Sequence, residues 1–197
     1  MAGPLADEPT RAALLRTAEP NRPVEVWFED ECRLGLVPIV RRIWAPKGKR
    51  PVAPHRIKRQ WLYVYGFARP GTAETAWYLL PQANTEWMSR ALAEWVREVD
   101  PQGRKRLVLV MDGAGWHTSG KLVLPPQVEL FPLPPNTPEL QPVESAWPSL
   151  REVVANEAFD GLDPLMDRLT ERCKQFMEHP ESIQPVVAHD WAAALNQ

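Results

Sequence analysis

The chain has few cysteines, few histidines and no long apolar run, and one internal stretch has no acid. Cys32 and Cys173 are its two cysteines in 197 residues. They are far apart and follow no pattern, which excludes a disulfide framework and a cysteine-ligated zinc site. The four histidines are equally scattered. No apolar stretch approaches the ~20 residues needed to cross a bilayer, so no membrane association is expected. No basic start leads into an apolar segment, and Pro4, Pro9, Pro20 and Pro23 break up the first residues, so no secretory signal is expected. These absences point to a soluble protein of a reducing compartment, the cytoplasm. There is no internal repeat.

The gap in acid is the more telling one. From Cys32 to Ala73 there is no Asp or Glu, while the same interval holds ten of the 23 Lys and Arg residues. The rest of the chain therefore carries a charge of -12, which the block's +10 reduces to the overall -2. A block of one sign suits a polyanion, because cations that neutralise phosphates release condensed counterions. Arg41, Arg42, Lys47, Lys49, Arg50, Arg56, Lys58 and Arg59 are the candidate nucleic-acid contacts; the plain alternative is a solvated basic face.

Hydrophobic patterning gives one α/β domain. Residues 1–23 read as a tail or linker, 24–180 as the domain, and 181–197 as a C-terminal tail with some helical character. Val24–Phe28 reads as a strand ending in Glu29, Asp30 and Glu31. Leu36–Trp44 reads as a second strand, interrupted at Pro38. Trp61–Ala68, Thr75–Leu80, the apolar run Leu107–Met111 and Val128–Phe131 are further strands. Helical spacing covers Asn84–Val99, where Trp87, Ala91, Leu92, Trp95, Val96 and Val99 can share a face, and Leu162–Met177. Leu133–Trp147 (LPPNTPELQPVESAW) is a proline-stiffened loop that leads into a helix running to about Ala155. Val143, Trp147, Leu150 and Val154 are its apolar stripe. Pro148 kinks that helix if it begins at Pro142, and lies in a tolerated first turn if it begins near Ser145.

Three acids sit at element ends. One of Glu29, Asp30 and Glu31 leaves the first strand, and alternation does not decide which points inward. Asp112 leaves the apolar strand, and Glu144 follows the proline loop. Each has an ordinary reading: a surface acid, an Asx turn with Gly113, and a carboxylate complementing a helix dipole. His117 by itself reads as a structural histidine, and the nine tryptophans read as core before base-stacking platforms. Taken together, acids at converging strand ends cannot all stay ionised without a cation, and Mg²⁺ or Mn²⁺ prefers such oxygen donors. Two such ions can support displacement at a phosphodiester.

Four motifs in order, WFEDE, WAPKGKRP, MDGAGWH and LPPNTPELQPVESAW, resemble the DDE endonuclease domain of bacterial insertion-sequence transposases of the mariner superfamily. The likeness spans Val24 to Phe159. It implies a ribonuclease H-like fold, with a mixed central sheet flanked by helices. By motif it carries the catalytic, metal-binding acids onto Asp30, Asp112 and Glu144, with two Mg²⁺ or Mn²⁺ ions as cofactors. It also implies that Glu31 and His117 belong to the motifs without being metal ligands. The implied reaction is cleavage of DNA at transposon ends, followed by attack of the freed 3′-hydroxyl on target DNA. The resemblance admits a homodimer. Since 23 residues before Val24 cannot hold a helix-turn-helix, it also implies a separate subunit or upstream frame product for end recognition. Gln141 stands where the family commonly has Asn, Gly113 follows Asp112 where Asn is frequent, and the Asp112–Glu144 spacing is short. The alternatives are a catalytically inactive DNA-binding remnant and another ribonuclease H-like nuclease.

Overall fold

The computed structural model describes residues 22–49, 52, 58–115, 117, 119–134 and 137–193. Five strands form one mixed sheet in the order β3-β2-β1-β4-β5. β1 (Val24–Gly35), β2 (Trp61–Arg69) and β3 (Glu74–Leu80) run antiparallel in succession. β4 (Arg106–Met111) and β5 (Val128–Pro132) are parallel to β1. The crossover from β3 at one edge to β4 beyond β1 contains α1 (Thr85–Val99).

Alternation along the strands separates two cores. Trp27, Tyr65, Phe67, Leu107, Leu109 and Met111 face α1, which buries Met88, Ala91, Leu92, Trp95 and Val96 against them. Trp87 is only partly covered, with the Arg90 guanidinium over its ring, so Met88 occupies the buried place expected for Trp87. The Asn84 side chain accepts from Trp87 N at 3.0 Å and caps the helix as its sequence implies. On the other face Val26, Phe28, Val64, Val108 and Val110 meet α2 (Trp147–Glu152) and α3 (Leu162–Glu178). Val143, Trp147, Leu150 and Val154 are all buried there.

Three expectations are corrected. Leu36–Trp44 is not a strand: beyond the buried Leu36 the chain is irregular and mostly exposed, and among the described residues its one β-bridge is Ile39–Ala155. β1 does not stop at Phe28 but continues through the acids to Gly35, because β2 pairs with it as far as that residue. Asp30 therefore lies within a strand, not at its exit. Finally, α4 (Gln184–Val187) and α5 (Asp190–Ala193) return to the sheet, and Ile183, Val187 and Ala192 are buried in the second core. The described part of this segment belongs to the fold and is no tail.

Candidate active site

β1 outlasts its parallel neighbour, and this creates the site. The last parallel pair is Phe28 with Val110. Two residues further along each chain lie Asp30, still in β1, and Asp112, just past the end of β4. Both follow the alternation of Phe28 and Val110 and so face the α2 side. The third acid arrives on a separate segment. Pro142–Ala146 is a 3₁₀ turn and α2 begins at Trp147, so Glu144 lies in the tight turn before the α-helix. Pro148 falls in the first turn of α2, where no backbone hydrogen bond is lost. A cleft of about 420 Å³ is lined by Asp30, Asp112 and Glu144, with Gln141 and the loop residues around Leu133 and Pro138 completing its walls.

Two contacts that the sequence did not announce hold the Glu144 segment against β1. Trp147 Nε1 donates to Asp30 Oδ2 at 2.7 Å. Gln141 Nε2 donates to the buried Glu29 carbonyl at 2.8 Å, and its Oε1 accepts from Val143 N at 3.4 Å. Space for Trp147 comes from Gly66, opposite Asp30 on β2. A Cβ there would lie 2.6 Å from Trp77, 2.9 Å from Val143 and 3.0 Å from Trp147. The NTPELQPVESAW wording hinted at these roles only through Gln141, a residue able to donate and accept at once.

The electrostatics are those of crowded acid. Burial pushes Asp30 up to about 7; the Trp147 hydrogen bond opposes this, and the charges of Glu144 and Glu31 add to it. Asp112 is held below its ordinary value, chiefly by the His117 hydrogen bond, against partial burial and with help from the Ala114 N–H. His117 Nδ1 donates to Asp112 Oδ1 at 2.9 Å and Nε2 to Glu31 Oε1 at 3.1 Å. Burial disfavours its charge, but those two hydrogen bonds and the glutamate charges prevail and raise it to about 11. His117 is thus a cation wedged beside the acids. The charged side chains lining the cleft are three carboxylates, and one of them, Asp30, is hard to ionise chiefly because it is buried. That donor set fits a hard divalent cation.

The candidate DNA contacts divide. Arg41, Arg42, Lys47 and Lys49 are exposed along the irregular stretch after β1, and Arg59 is exposed before β2. Arg41 and Arg42 border a second cleft with Pro148, Ser149, Glu152 and Asn156, beside α2. Asn156, at φ +59°, accepts from Arg41 N at 2.9 Å and donates its own N–H to Ile39 O at 2.8 Å, fastening this stretch to the end of the helix. Lys58 instead donates to the Asp160 carbonyl at 2.6 Å. Arg50 and Arg56 lie outside the described residues.

A mixed sheet with an acid inside its central strand, another beyond the adjacent strand and a third on a flanking helical segment defines the ribonuclease H-like class. Residues 25–166 match the family model for the DDE superfamily endonucleases. The chain belongs to that family. An uncharacterised protein of Sinorhizobium fredii, y4pE/y4sA, is 34% identical over 133 residues, which is 67% of this chain and 97% of that one. Among solved structures, the Mos1 transposase paired-end complex with left transposon end superposes with a TM-score of 0.63 at 17% identity, over 96% of this chain and 59% of that one. The Mos1 mariner paired-end complex with Mn gives 0.62 at 16% identity, over 96% and 60%. At such identity the likeness is one of fold. The chain spans about three fifths of those proteins' length.

Proposed function

We propose that this chain is the catalytic domain of a transposase that cuts DNA at transposon ends and joins the freed 3′-hydroxyl to target DNA. The observation that carries the reading is the meeting of Asp30, Asp112 and Glu144 in one cleft from three separate segments. The Mos1 complexes with Mn and with Mg support a divalent requirement, and the Mos1 strand transfer complex supports the second half of the reaction. Asp30, Asp112 and Glu144 would hold the metal, proposed as two Mg²⁺ or Mn²⁺ ions. When bound, such ions activate the attacking oxygen and stabilise the leaving one.

The chain's own groups prepare that chemistry. Trp147 keeps one Asp30 oxygen fixed while opposing protonation of the group. His117 turns the Asp112 carboxylate and keeps it ionised. Gln141 and the prolines before Glu144 deliver that acid on a stiff segment rather than a mobile loop. Arg41, Arg42, Lys47 and Lys49 would take the phosphate backbone, fixing strand orientation rather than reading sequence. Recognition of the ends is assigned to a helix-turn-helix module on a separate subunit or adjoining frame product. A homodimer is proposed because two ends must be processed together.

Cleavage of an end-bearing duplex, and joining of a pre-cut end, in Mg²⁺ or Mn²⁺ test this. Asp30→Ala, Asp112→Ala and Glu144→Ala should each lower both rates by at least ~10²-fold, the loss usual for disturbing a metal site. Wild-type cleavage by all three variants would sink the reading. Salt-sensitive binding without any cleavage would mark an inactive remnant, and preference for an RNA–DNA hybrid would mark a different nuclease.

A further inference from the structure

Behind the cleft, on the α1 face of β1, lies a second group of donors, Glu29, Glu31 and the Nε2 side of His117, of which the catalytic reading uses only the opposite nitrogen of His117. Glu29 and Glu31 share the alternation of Trp27 and point away from Asp30's side. His117 Nε2 stands 3.1 Å from Glu31 Oε1 and 3.8 Å from Glu29 Oε2. Ligand atoms of the three residues all lie within 4.8 Å of one another. Glu29 is fully buried, and neither of its carboxylate oxygens has a hydrogen-bond partner among the described residues. A buried carboxylate without donors is costly, and the one charged nitrogen facing it is beyond hydrogen-bond reach.

The spacing is that of a coordination sphere. Ligands about 2.0–2.1 Å from Zn²⁺ in a tetrahedron stand roughly 3.3 Å apart, a value bracketed by the two distances from Nε2. The other imidazole nitrogen is already held: Nδ1 lies 2.9 Å from Asp112 Oδ1. A carboxylate on the far nitrogen is the arrangement that orients metal-bound histidines. A metal on Nε2 displaces the proton that this nitrogen otherwise shares with Glu31. Two carboxylates and the resulting neutral imidazole carry two negative charges, which one divalent ion cancels. A mixed nitrogen and oxygen donor set favours Zn²⁺ over Mg²⁺, which dehydrates reluctantly and selects oxygen.

We propose that Glu29, Glu31 and His117 form a structural Zn²⁺ site, separate from the Mg²⁺ or Mn²⁺ site of Asp30, Asp112 and Glu144, with water as the remaining ligand. This departs from the expectation that Glu31 and His117 ligate no metal. The site ties β1 to the segment after β4 from behind and thereby fixes the imidazole that orients Asp112. It stands whether or not the chain cuts DNA.

The test is metal binding by the whole chain after chelator dialysis, with Co²⁺ as the visible probe and Zn²⁺ as competitor. A single tight Co²⁺ equivalent should appear, with d–d absorption and paramagnetically shifted His117 ring protons, and Zn²⁺ should displace it. Zn²⁺ at ~100-fold above its Kd should raise Tm by roughly 5–10 °C. The Asp30→Asn/Glu144→Gln double variant should keep this site, whereas Glu29→Gln should weaken it by at least tenfold. The proposal is overturned if the wild-type His117 protons do not shift. It is equally overturned if folded Glu29→Gln binds Zn²⁺ as tightly as wild type, or if the double variant alone loses it.

Discussion

At the scale of single residues, Asp30 sets the pH behaviour. Its carboxyl is raised from 3.8 to about 7, burial leading and the charges of Glu144 and Glu31 adding to it. Divalent binding requires the ionised form, so metal affinity and cleavage should fall as pH drops below about 7. Trp147→Phe keeps the ring and removes the donor that opposes this shift. The midpoint of the pH–rate profile should therefore move upward; an unmoved midpoint would show that the indole hydrogen bond does not tune Asp30. Linkage gives the matching stability statement. The folded pKa exceeds the unfolded one, so the native state binds the extra proton between about 4 and 7. Without divalent ions, Asp30's contribution to stability is lost as pH rises through that window. Asp30→Asn should flatten that part of the pH dependence, measured by denaturant unfolding of both proteins.

At the scale of elements, the decisive joint is the one between β2 and the Glu144 segment. Gly66 lets Val143 and Trp147 lie directly on the sheet, and a methyl there has no room. Gly66→Ala should cost about 1–3 kcal/mol through overpacking and should depress cleavage further than the stability loss alone, because Trp147 leaves Asp30. Unfolding midpoints and cleavage rates below the midpoint check both; full activity in the folded variant would separate the joint from catalysis. Much of this architecture was legible. Strong periodicity marked α1, α3 and four of the strands to within a residue or two. The two strand errors share one cause. Local pattern does not reveal pairing partners, so β1 was cut short at its acids although β2 carries it to Gly35. For the same reason Leu36–Trp44 read as a strand although among the described residues it makes one isolated bridge.

At the scale of the molecule, charge is segregated. Exposed Arg41, Arg42, Lys47 and Lys49 follow β1 on the helix side, and Asn156 fastens their stretch to the end of α2, which Glu144 precedes. On the proposed function, DNA bound there would be steered by the same segment that carries the third acid. DNA affinity should fall steeply with salt, by a log–log slope of about -0.9 per neutralised phosphate. Arg41→Ala and Arg42→Ala should each weaken binding uniformly across sequences and reduce that slope by about 1. Fluorescence anisotropy over a salt series checks this; an unchanged slope in both variants would move the DNA path elsewhere. Among the described residues, no helix is long and apolar enough to cross a membrane.

The division between chain and fold follows from the range over which each interaction acts. Residue order alone determined the element types, the +10 block and the motif positions of Asp30, Asp112 and Glu144, because periodicity, charge and proline act locally. Only the tertiary structure decided that β1 passes β4 by enough to set Asp30 beyond the last parallel pair. Only there do Trp147 and Gln141, 117 and 112 residues from their partners, fasten the third acid to the sheet. Which way the neighbouring acids face was settled in the same way: Asp30 turns toward the cleft, while Glu29 and Glu31 turn to His117 behind it. Burial and cross-strand register set those directions, and neither is written in any short stretch of the chain.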